Sequence, residues 1–338
     1  MENKYNVVVV GIGAVGAEML KILDQRKFPI GELKVLARSA RDEEIAGKTY
    51  SVRAADPEEF EGAEIVFFAG TEGEKGASVT FSPEAIKRGA VCIDNGADFR
   101  LDPDVPLVIP EVNPEDIKKH KGLIASPNCS TIQMVVALAP LHRVSRINRI
   151  IASTYQAVSG TGRAAIRELR EQSENYLGGG TELDCRVYPY RIAFNLLPHI
   201  GSFGELAYTS EEWKMDRETK KILHDDSLQI SSTAVRVPVF NVHSESVYIE
   251  TEKPIAVEEA REIMSSAPGV IVIDEPGEAK YPTPLDADQK DEVFVGRIRR
   301  DPYVENGLHL WIVSDNIRKG AALNVIQIAE KMIEKGLI

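Results

Sequence analysis

Val7-Val8-Val9-Val10-Gly11-Ile12-Gly13-Ala14-Val15-Gly16 is the stretch on which the reading of this chain turns. Four successive β-branched residues suit a strand buried on both faces. The G-x-G-x-x-G that follows opens a helix running from about Val15 to Gln25. Its glycines permit a tight turn and close backbone approach, while the helix start offers free N–H groups and the positive end of its dipole to a pyrophosphate. The spacing therefore predicts a dinucleotide site at Gly11, Ile12, Gly13, Ala14, Val15 and Gly16. Working outward, strands are expected at Tyr5–Val10, Leu33–Ala37, Glu64–Phe68, Ala90–Asp94 and Leu123–Ala125, with a helix over Ser82–Arg88. Strand and helix signals alternate, which predicts βαβ units in a doubly wound, Rossmann-type parallel sheet.

The end of the second strand selects the dinucleotide. An NAD site wants Asp or Glu there, about 20 residues past the glycines, to hold the ribose diol. Here the chain reads Leu36-Ala37-Arg38-Ser39-Ala40-Arg41, with no carboxylate before Asp42. Guanidinium and hydroxyl groups suit a 2′-phosphate, so NADP is expected, with Arg38 and Ser39 as its contacts.

Beyond residue 148 the pattern changes. Longer, alternating strands are expected at Arg149–Ala157, Thr233–Phe240, Ser246–Thr251, Val270–Asp274, Val293–Ile298 and Leu308–Val313. Helices are expected at Thr131–His142, Gly162–Tyr176 and Ser210–Leu223, and a final amphipathic helix at Arg318–Lys335. This predicts an α+β domain: a mostly antiparallel sheet with helices on one face, the other face free for a partner subunit. The expected division is an NADP domain at 1–127, completed by 318–338, and a catalytic and dimerisation domain at 128–317. Ser173–Pro198 is the least regular stretch.

The 338 residues carry 40 Lys+Arg against 52 Asp+Glu, a formal charge of −12. That acidic balance gains nothing from counterion release and argues against nucleic acid as a partner. No apolar run nears the ~20 residues of a membrane span. Met1-Glu2-Asn3-Lys4 leads straight into a strand, with no room for a signal peptide, so a cytoplasmic location is expected. The three cysteines, at 92, 129 and 185, form neither a disulfide framework nor a metal spacing, and no metal is expected.

Cys129 has the context of a nucleophile. It follows a short strand and is expected one residue before a helix that Ser130 or Thr131 caps. There, unsatisfied N–H groups and the helix dipole favour thiolate. Cys92 lies in an apolar strand and reads as a small buried hydrophobe. His243 sits in the polar break Asn241-Val242-His243-Ser244-Glu245-Ser246. Arg236 lies seven residues earlier, an odd separation that a regular strand would place on opposite faces. A bulge or turn at Asn241 must therefore bring the two together. Glu211 and Lys214, three apart at a helix start, are neighbours on one face. Arg100 lies beyond a strand's carboxyl end, where open α/β sheets place ligands.

Ser126-Pro127-Asn128-Cys129-Ser130-Thr131-Ile132-Gln133 and Ser153-Thr154-Tyr155-Gln156-Ala157-Val158-Ser159-Gly160 resemble the aspartate-β-semialdehyde dehydrogenase family. The likeness continues through Glu211-Glu212-Trp213-Lys214, Val235-Arg236-Val237-Pro238-Val239, His243-Ser244-Glu245-Ser246 and Asn316-Ile317-Arg318-Lys319-Gly320-Ala321-Ala322. It implies NADPH-dependent reduction of L-aspartyl-4-phosphate to L-aspartate-4-semialdehyde, with release of phosphate, on the route to lysine, threonine, methionine and isoleucine. It also implies a homodimer or homotetramer built on the second domain. The family's nucleophile falls on Cys129, its acid/base histidine on His243 and its glutamine on Gln156. Its carboxylate-binding arginine falls on Arg236, its amino-binding carboxylate on Glu211, and its phosphate-binding groups on Arg100, Asn128 and Lys214. Ser159, Gly160 and Asn316 match positions that approach the nicotinamide. One departure stands out: the family's first turn usually reads G-x-x-G-x-x-G, and here it is one residue shorter.

The chemistry fits those residue types. A thiolate turns an acyl phosphate into a thioester held for hydride, splitting one hard step into two. His243 is expected to take the thiol proton and later protonate the hemithioacetal oxygen. Gln156 or backbone N–H groups near Cys129 are expected to hold the substrate carbonyl. The nearest rival is a sister reductase of N-acetylglutamyl phosphate or malonyl-CoA, which needs no carboxylate for a free ammonium. A more distant one is a nucleotide-sensing protein that binds cofactor without acylating Cys129.

Overall fold

The valine run becomes β1 (Tyr5–Val10), flanked in parallel by β2 (Ile30–Ala37) and β5 (Ile65–Phe68), with Val7 opposite both Leu33 and Ile65. This computed structural model describes residues 3–70, 76–181 and 184–338. Met1 and Glu2 of the N-terminal reading, and residues 182 and 183 of the irregular stretch, lie outside the described residues. Two units are present: Met1–Asn128 with Ala321–Ile338, and Cys129–Gly320.

In the first unit β3 (Arg41–Ile45), β4 (Lys48–Ala54), β6 (Val91–Asp94) and β7 (Leu123–Ala125) complete the sheet. Its order among the described residues is β3-β4-β2-β1-β5-β6-β7, all parallel except the β3–β4 pair. Strand order reverses at β1, the position where doubly wound sheets bind ligands beyond the carboxyl ends. Helices α1 (Ala14–Gln25) and α2 (Ala77–Lys87) are crossovers. The C-terminal helix, Leu323–Glu334, packs on α1 and buries Leu323, Val325, Ile326 and Ala329 in the core around Val9, Met19, Ile22 and Phe67. Asn324 donates to Val108 O and Ser126 Oγ, both at 2.9 Å, fixing that helix to the loops before and after β7.

Two features here differ from the sequence reading. The β3–β4 hairpin was not expected, because Arg41-Asp42-Glu43-Glu44 offers no apolar run; its turn, Ala46-Gly47, takes positive φ at both residues (52° and 77°), as a two-residue hairpin turn requires. Helix α2 starts five residues before Ser82; Pro83 resembles a helix-opening proline but lies inside the helix.

The second unit holds α3 (Cys129–Val144), β8 (Ile147–Gln156), α4 (Arg163–Leu177), α5 (Ser210–Leu223), β9 (Gln229–Arg236), β10 (His243–Thr251), α6 (Val257–Ser265), β11 (Val270–Val272), β12 (Val293–Arg300) and β13 (Gly307–Ser314). The sheet order is β11-β12-β13-β10-β8-β9. The inner pairs are antiparallel, and the outer pairs β8–β9 and β11–β12 are parallel. Helix α3 lies across β8, β10, β12 and β13. Along β10, His243, Glu245, Val247 and Ile249 are fully buried while Ser246, Tyr248 and Glu250 are half-exposed, the alternation of a sheet covered on one side.

Three boundaries move, each with a cause. Helix α3 begins at Cys129, so Ser130 and Thr131 lie inside its first turn and do not cap it. Strand β9 stops at Arg236, four residues before the expected Phe240, since Pro238 has no N–H for a ladder; β10 starts at His243, three residues before Ser246. The expected helix from Arg318 opens as a wide π turn, Arg318–Ala322, and becomes α-helical only at Leu323. The Asp315 carboxylate draws the N–H groups of Ile317 and Arg318 to itself, both at 2.9 Å. Among the described residues no helix is long and apolar enough to cross a membrane.

Candidate active site

In the first unit the three glycines have separate reasons. Gly11 takes φ +96° and donates its N–H to Leu36 O at 2.8 Å, making the turn out of β1. A Cβ on Gly16 would lie 1.9 Å from Gly11 O, so only glycine seats α1 against the turn. A Cβ on Gly13 would meet nothing within 4 Å, which leaves open space over the backbone. The first turn of α1 has no side-chain cap and no acidic residue. Among the described residues no side chain bonds to its amides, as a pyrophosphate cradle needs.

Beyond β2, Arg38, Ser39 and Ala40 are exposed. Arg41 is turned onto the hairpin, donating to Glu43 at 3.1 Å and to Ser39 O at 3.2 Å. Arg38 makes no hydrogen bond or ion pair among the described residues, which leaves its guanidinium available to a ligand. Arg100 and Asn128 are buried and belong to this unit. Arg100 donates to Asn95 O at 2.8 Å in the loop after β6, beside Asp94.

The second unit gathers most of the other candidates. Cys129 is half-buried at the first position of α3, where the sulfur meets the positive end of the helix. Cys92, buried in β6, has its thiol pushed up to about 12 by burial, reinforced by Asp94, and is inert. Gly320 comes so close that a Cβ there would lie 2.8 Å from Cys129 Cβ. Gln156, last in β8, donates through Nε2 to Ser130 Oγ at 2.8 Å and to Glu211 Oε1 at 3.1 Å. One carboxamide therefore ties the turn carrying the thiol to the carboxylate at the start of α5. Thr209 and Glu212 form a capping box that fixes that helix start, with Thr209 N–H donating to Glu212 Oε2 at 2.7 Å. Lys214 Nζ stands 3.8 Å from Glu211 Oε2.

The strand break between Arg236 and His243 does what their odd spacing demands. Val242 takes φ +76°, and both side chains converge on Gly160. A Cβ on Gly160 would lie 3.3 Å from Arg236 Nη1 and 3.3 Å from His243 Nε2. His243 Nδ1 accepts the Ala157 N–H at 3.1 Å, so the ring proton sits on Nε2, which is buried and makes no hydrogen bond among the described residues. Burial, with the Arg236 charge adding, holds the imidazole well below its usual pKa and therefore neutral. This tautomer suits the donor half of the acid–base role and leaves no outward lone pair to take the thiol proton. Ser159 and Asn316, each 2% exposed, bond to each other at 3.0 Å, and Asn316 Oδ1 accepts the Val242 N–H at 2.9 Å. They lock the turns that present Gly160 and His243.

Sequence reasoning gave no role to Gln133, Glu245 or Gly320, and gave Ser130 only a capping one. Glu245, two residues along β10 from His243, is fully buried against the Gln133 carboxamide. Burial, with Glu211 adding, pushes its carboxyl well above the ordinary range. The usable signal was two-residue alternation in the quoted His243-Ser244-Glu245, which puts both side chains on one face.

Fold and phosphate-binding turn define a two-domain, nucleotide-binding oxidoreductase. Residues 6–120 match the family described as semialdehyde dehydrogenase, NAD binding domain, and residues 138–319 its dimerisation domain. Aspartate-semialdehyde dehydrogenase of Aquifex aeolicus is 52% identical over 99% of both chains, and that of Bacillus subtilis is 47% identical over 98% of this chain and 99% of its own. The crystal structure of aspartate semialdehyde dehydrogenase II from Vibrio cholerae, also solved in complex with ASA, is 42% identical, superposes with a TM-score of 0.93, and covers 98% of this chain and 99% of that one. The chain belongs to the aspartate-semialdehyde dehydrogenase family.

Proposed function

We propose that the protein interconverts L-aspartyl-4-phosphate and L-aspartate-4-semialdehyde, using NADP(H) and releasing or taking up phosphate, through a thioester on Cys129. The observation that carries this reading is the bridge from Gln156 to both Ser130 and Glu211. It sets a carboxylate suited to a free ammonium beside the turn that bears the thiol.

The half-exposed thiol loses its proton to solvent, and the amides of the first turn of α3 stabilise the thiolate. The sulfur bonds to the acyl carbon, the carbon–oxygen bond to phosphate breaks, and inorganic phosphate leaves. When bound, NADPH supplies the hydride to the thioester carbon. His243 Nε2–H donates a hydrogen bond to the oxyanion so formed, stabilisation worth about 10²–10³ in rate. As the oxyanion's electron pair re-forms the carbonyl, the carbon–sulfur bond breaks, the thiolate is regenerated and the aldehyde leaves. Arg236 receives the α-carboxylate, Glu211 the ammonium, and Arg100, Asn128 and Lys214 the phosphate. Arg38 and Ser39 select the 2′-phosphate, while Gly160, held by Ser159 and Asn316, leaves room for the nicotinamide. The chain self-associates through its second domain, as a homodimer or homotetramer; the family description of that domain as a dimerisation domain supports the association itself.

The test compares turnover of aspartate semialdehyde and N-acetylglutamate semialdehyde, each with NADP and phosphate. Mass spectrometry follows on enzyme quenched during turnover. Preference for the free amine and an aspartyl adduct on Cys129 are expected; faster turnover of the acetylated compound would overturn the substrate, and absence of any adduct the mechanism.

A further inference from the structure

Between α4 and α5 the described chain from Asp184 to Leu197 is held chiefly by two side chains one turn apart on α4. The Glu168 carboxylate, 5% exposed, accepts the N–H groups of Arg186 at 2.7 Å, Val187 at 2.6 Å and Tyr188 at 3.4 Å. Gln172 accepts from the amides of Ile192 and Ala193 at 3.0 and 3.1 Å and donates to Asp184 O at 2.7 Å. Beneath them Val158, Leu169, Ile192 and Leu197 form a small core against which Tyr188 packs. Such specific pinning of an irregular segment needs a reason.

The reason lies at Arg236. The Tyr188 ring stands 5.9 Å from the Arg236 guanidinium carbon, and its hydroxyl donates to Thr161 Oγ1 at 3.0 Å. Leu197, at the far end of the segment, exchanges both backbone hydrogen bonds with Arg236, at 3.0 and 2.8 Å. The buried guanidinium is anchored by Nη1 to Ala157 O at 2.6 Å, while its Nε makes no hydrogen bond among the described residues. One anchored corner leaves the plane free to rotate; an aromatic face beside it removes that freedom.

We propose that Tyr188 is a positioning residue for Arg236. Its ring fixes the guanidinium plane that receives the substrate carboxylate, and Glu168 holds the ring in place. This rests on the reading of Arg236 given under Proposed function. The ring does the work and the hydroxyl does not, which separates the idea from a general structural role.

Steady-state kinetics with aspartate semialdehyde, phosphate and NADP test it on Tyr188→Phe, Tyr188→Leu, Glu168→Gln and Arg236→Ala. Tyr188→Leu is expected to raise KM for the semialdehyde about 3- to 30-fold, the range for loss of a desolvated cation–aromatic contact. Its kcat and its KM for phosphate and NADP should stay within about threefold. Tyr188→Phe should restore the parent KM, and Glu168→Gln should give a smaller rise of the same kind. If Arg236→Ala raises KM and Tyr188→Leu does not, the proposal fails while the reading of Arg236 stands. If Arg236→Ala leaves KM unchanged, that reading fails and takes the proposal with it. A Tyr188→Leu enzyme that loses kcat and all three KM values together, or a Phe variant as impaired as Leu, also overturns it.

Discussion

Burial keeps the Glu245 carboxyl protonated in the folded chain, whereas the unfolded chain ionises near the ordinary 4.5. The titratable group whose charge acts on it is Glu211; from α3 it meets the amide of Gln133, and across the sheet it faces Thr154 and Ile312. Above pH 4.5 the unfolded state has released a proton that the fold retains, so this residue subtracts stability as pH rises. The slope is at most about 1.4 kcal/mol per pH unit until the folded group itself ionises. Glu245→Gln keeps the shape and removes the titration. Its Tm relative to the parent should climb as pH rises above 4.5; a flat difference would mean the carboxyl is already ionised in the fold. In the sequence only its two-residue spacing from His243 marks this residue, because by itself a glutamate between two serines reads as a solvent-facing position. Arg38 is the opposite case, legible because the second strand ends in cations where a diol-binding site would carry a carboxylate. Arg38→Ala should raise KM for NADP about tenfold, the worth of one phosphate contact, and leave KM for NAD nearly unchanged; equal effects on both would remove its role in selection.

At the scale of elements, the geometry of the proposed catalytic site comes from how strands and helices end. Helix α3 starts on the thiol itself, β9 ends on Arg236, and β10 starts on His243. Regular interiors were readable from apolar periodicity. The ends were not, because they depend on Pro238, on the positive φ of Val242 and on the Asp315 carboxylate, which act through three-dimensional partners. The same holds for the π turn at Arg318–Ala322, which brings Gly320 against Cys129. A methyl group there would sit 2.8 Å from Cys129 Cβ, closer than any relaxed contact. Either the turn or the first residue of α3 must shift. Gly320→Ala should therefore lower kcat by about 10²-fold, the scale of loss from a displaced reacting atom, with little change in KM for NADP. Parent-like kcat with unchanged Tm would show that the thiol tolerates the shift.

For the molecule as a whole, the chain divides its chemistry. The phosphate-binding turn, Arg38 and Ser39 belong to the unit of Met1–Asn128 and Ala321–Ile338; Cys129, Gln156, Glu211, Arg236 and His243 belong to Cys129–Gly320. The two crossings, between Asn128 and Cys129 and between Gly320 and Ala321, fall inside the two most distinctive motifs of the sequence. The shift from buried parallel strands to alternating ones made two domains legible. It could not show that the second sheet runs parallel at both of its outer pairs, since strand direction there is set by connections and not by periodicity. The division has a measurable consequence. Removal of the sulfur deletes the covalent step, while every residue assigned to the dinucleotide's phosphates is untouched. Cys129→Ala should reduce turnover at least about 10⁴-fold, as expected where a nucleophile has no substitute. NADP affinity measured by titration calorimetry should stay within about twofold of the parent. Turnover within tenfold of the parent would rule out covalent catalysis at this residue. A collapse of NADP affinity alongside the activity would show instead that the thiol helps to build the cofactor site, and that the two units do not act as separately as their residues divide.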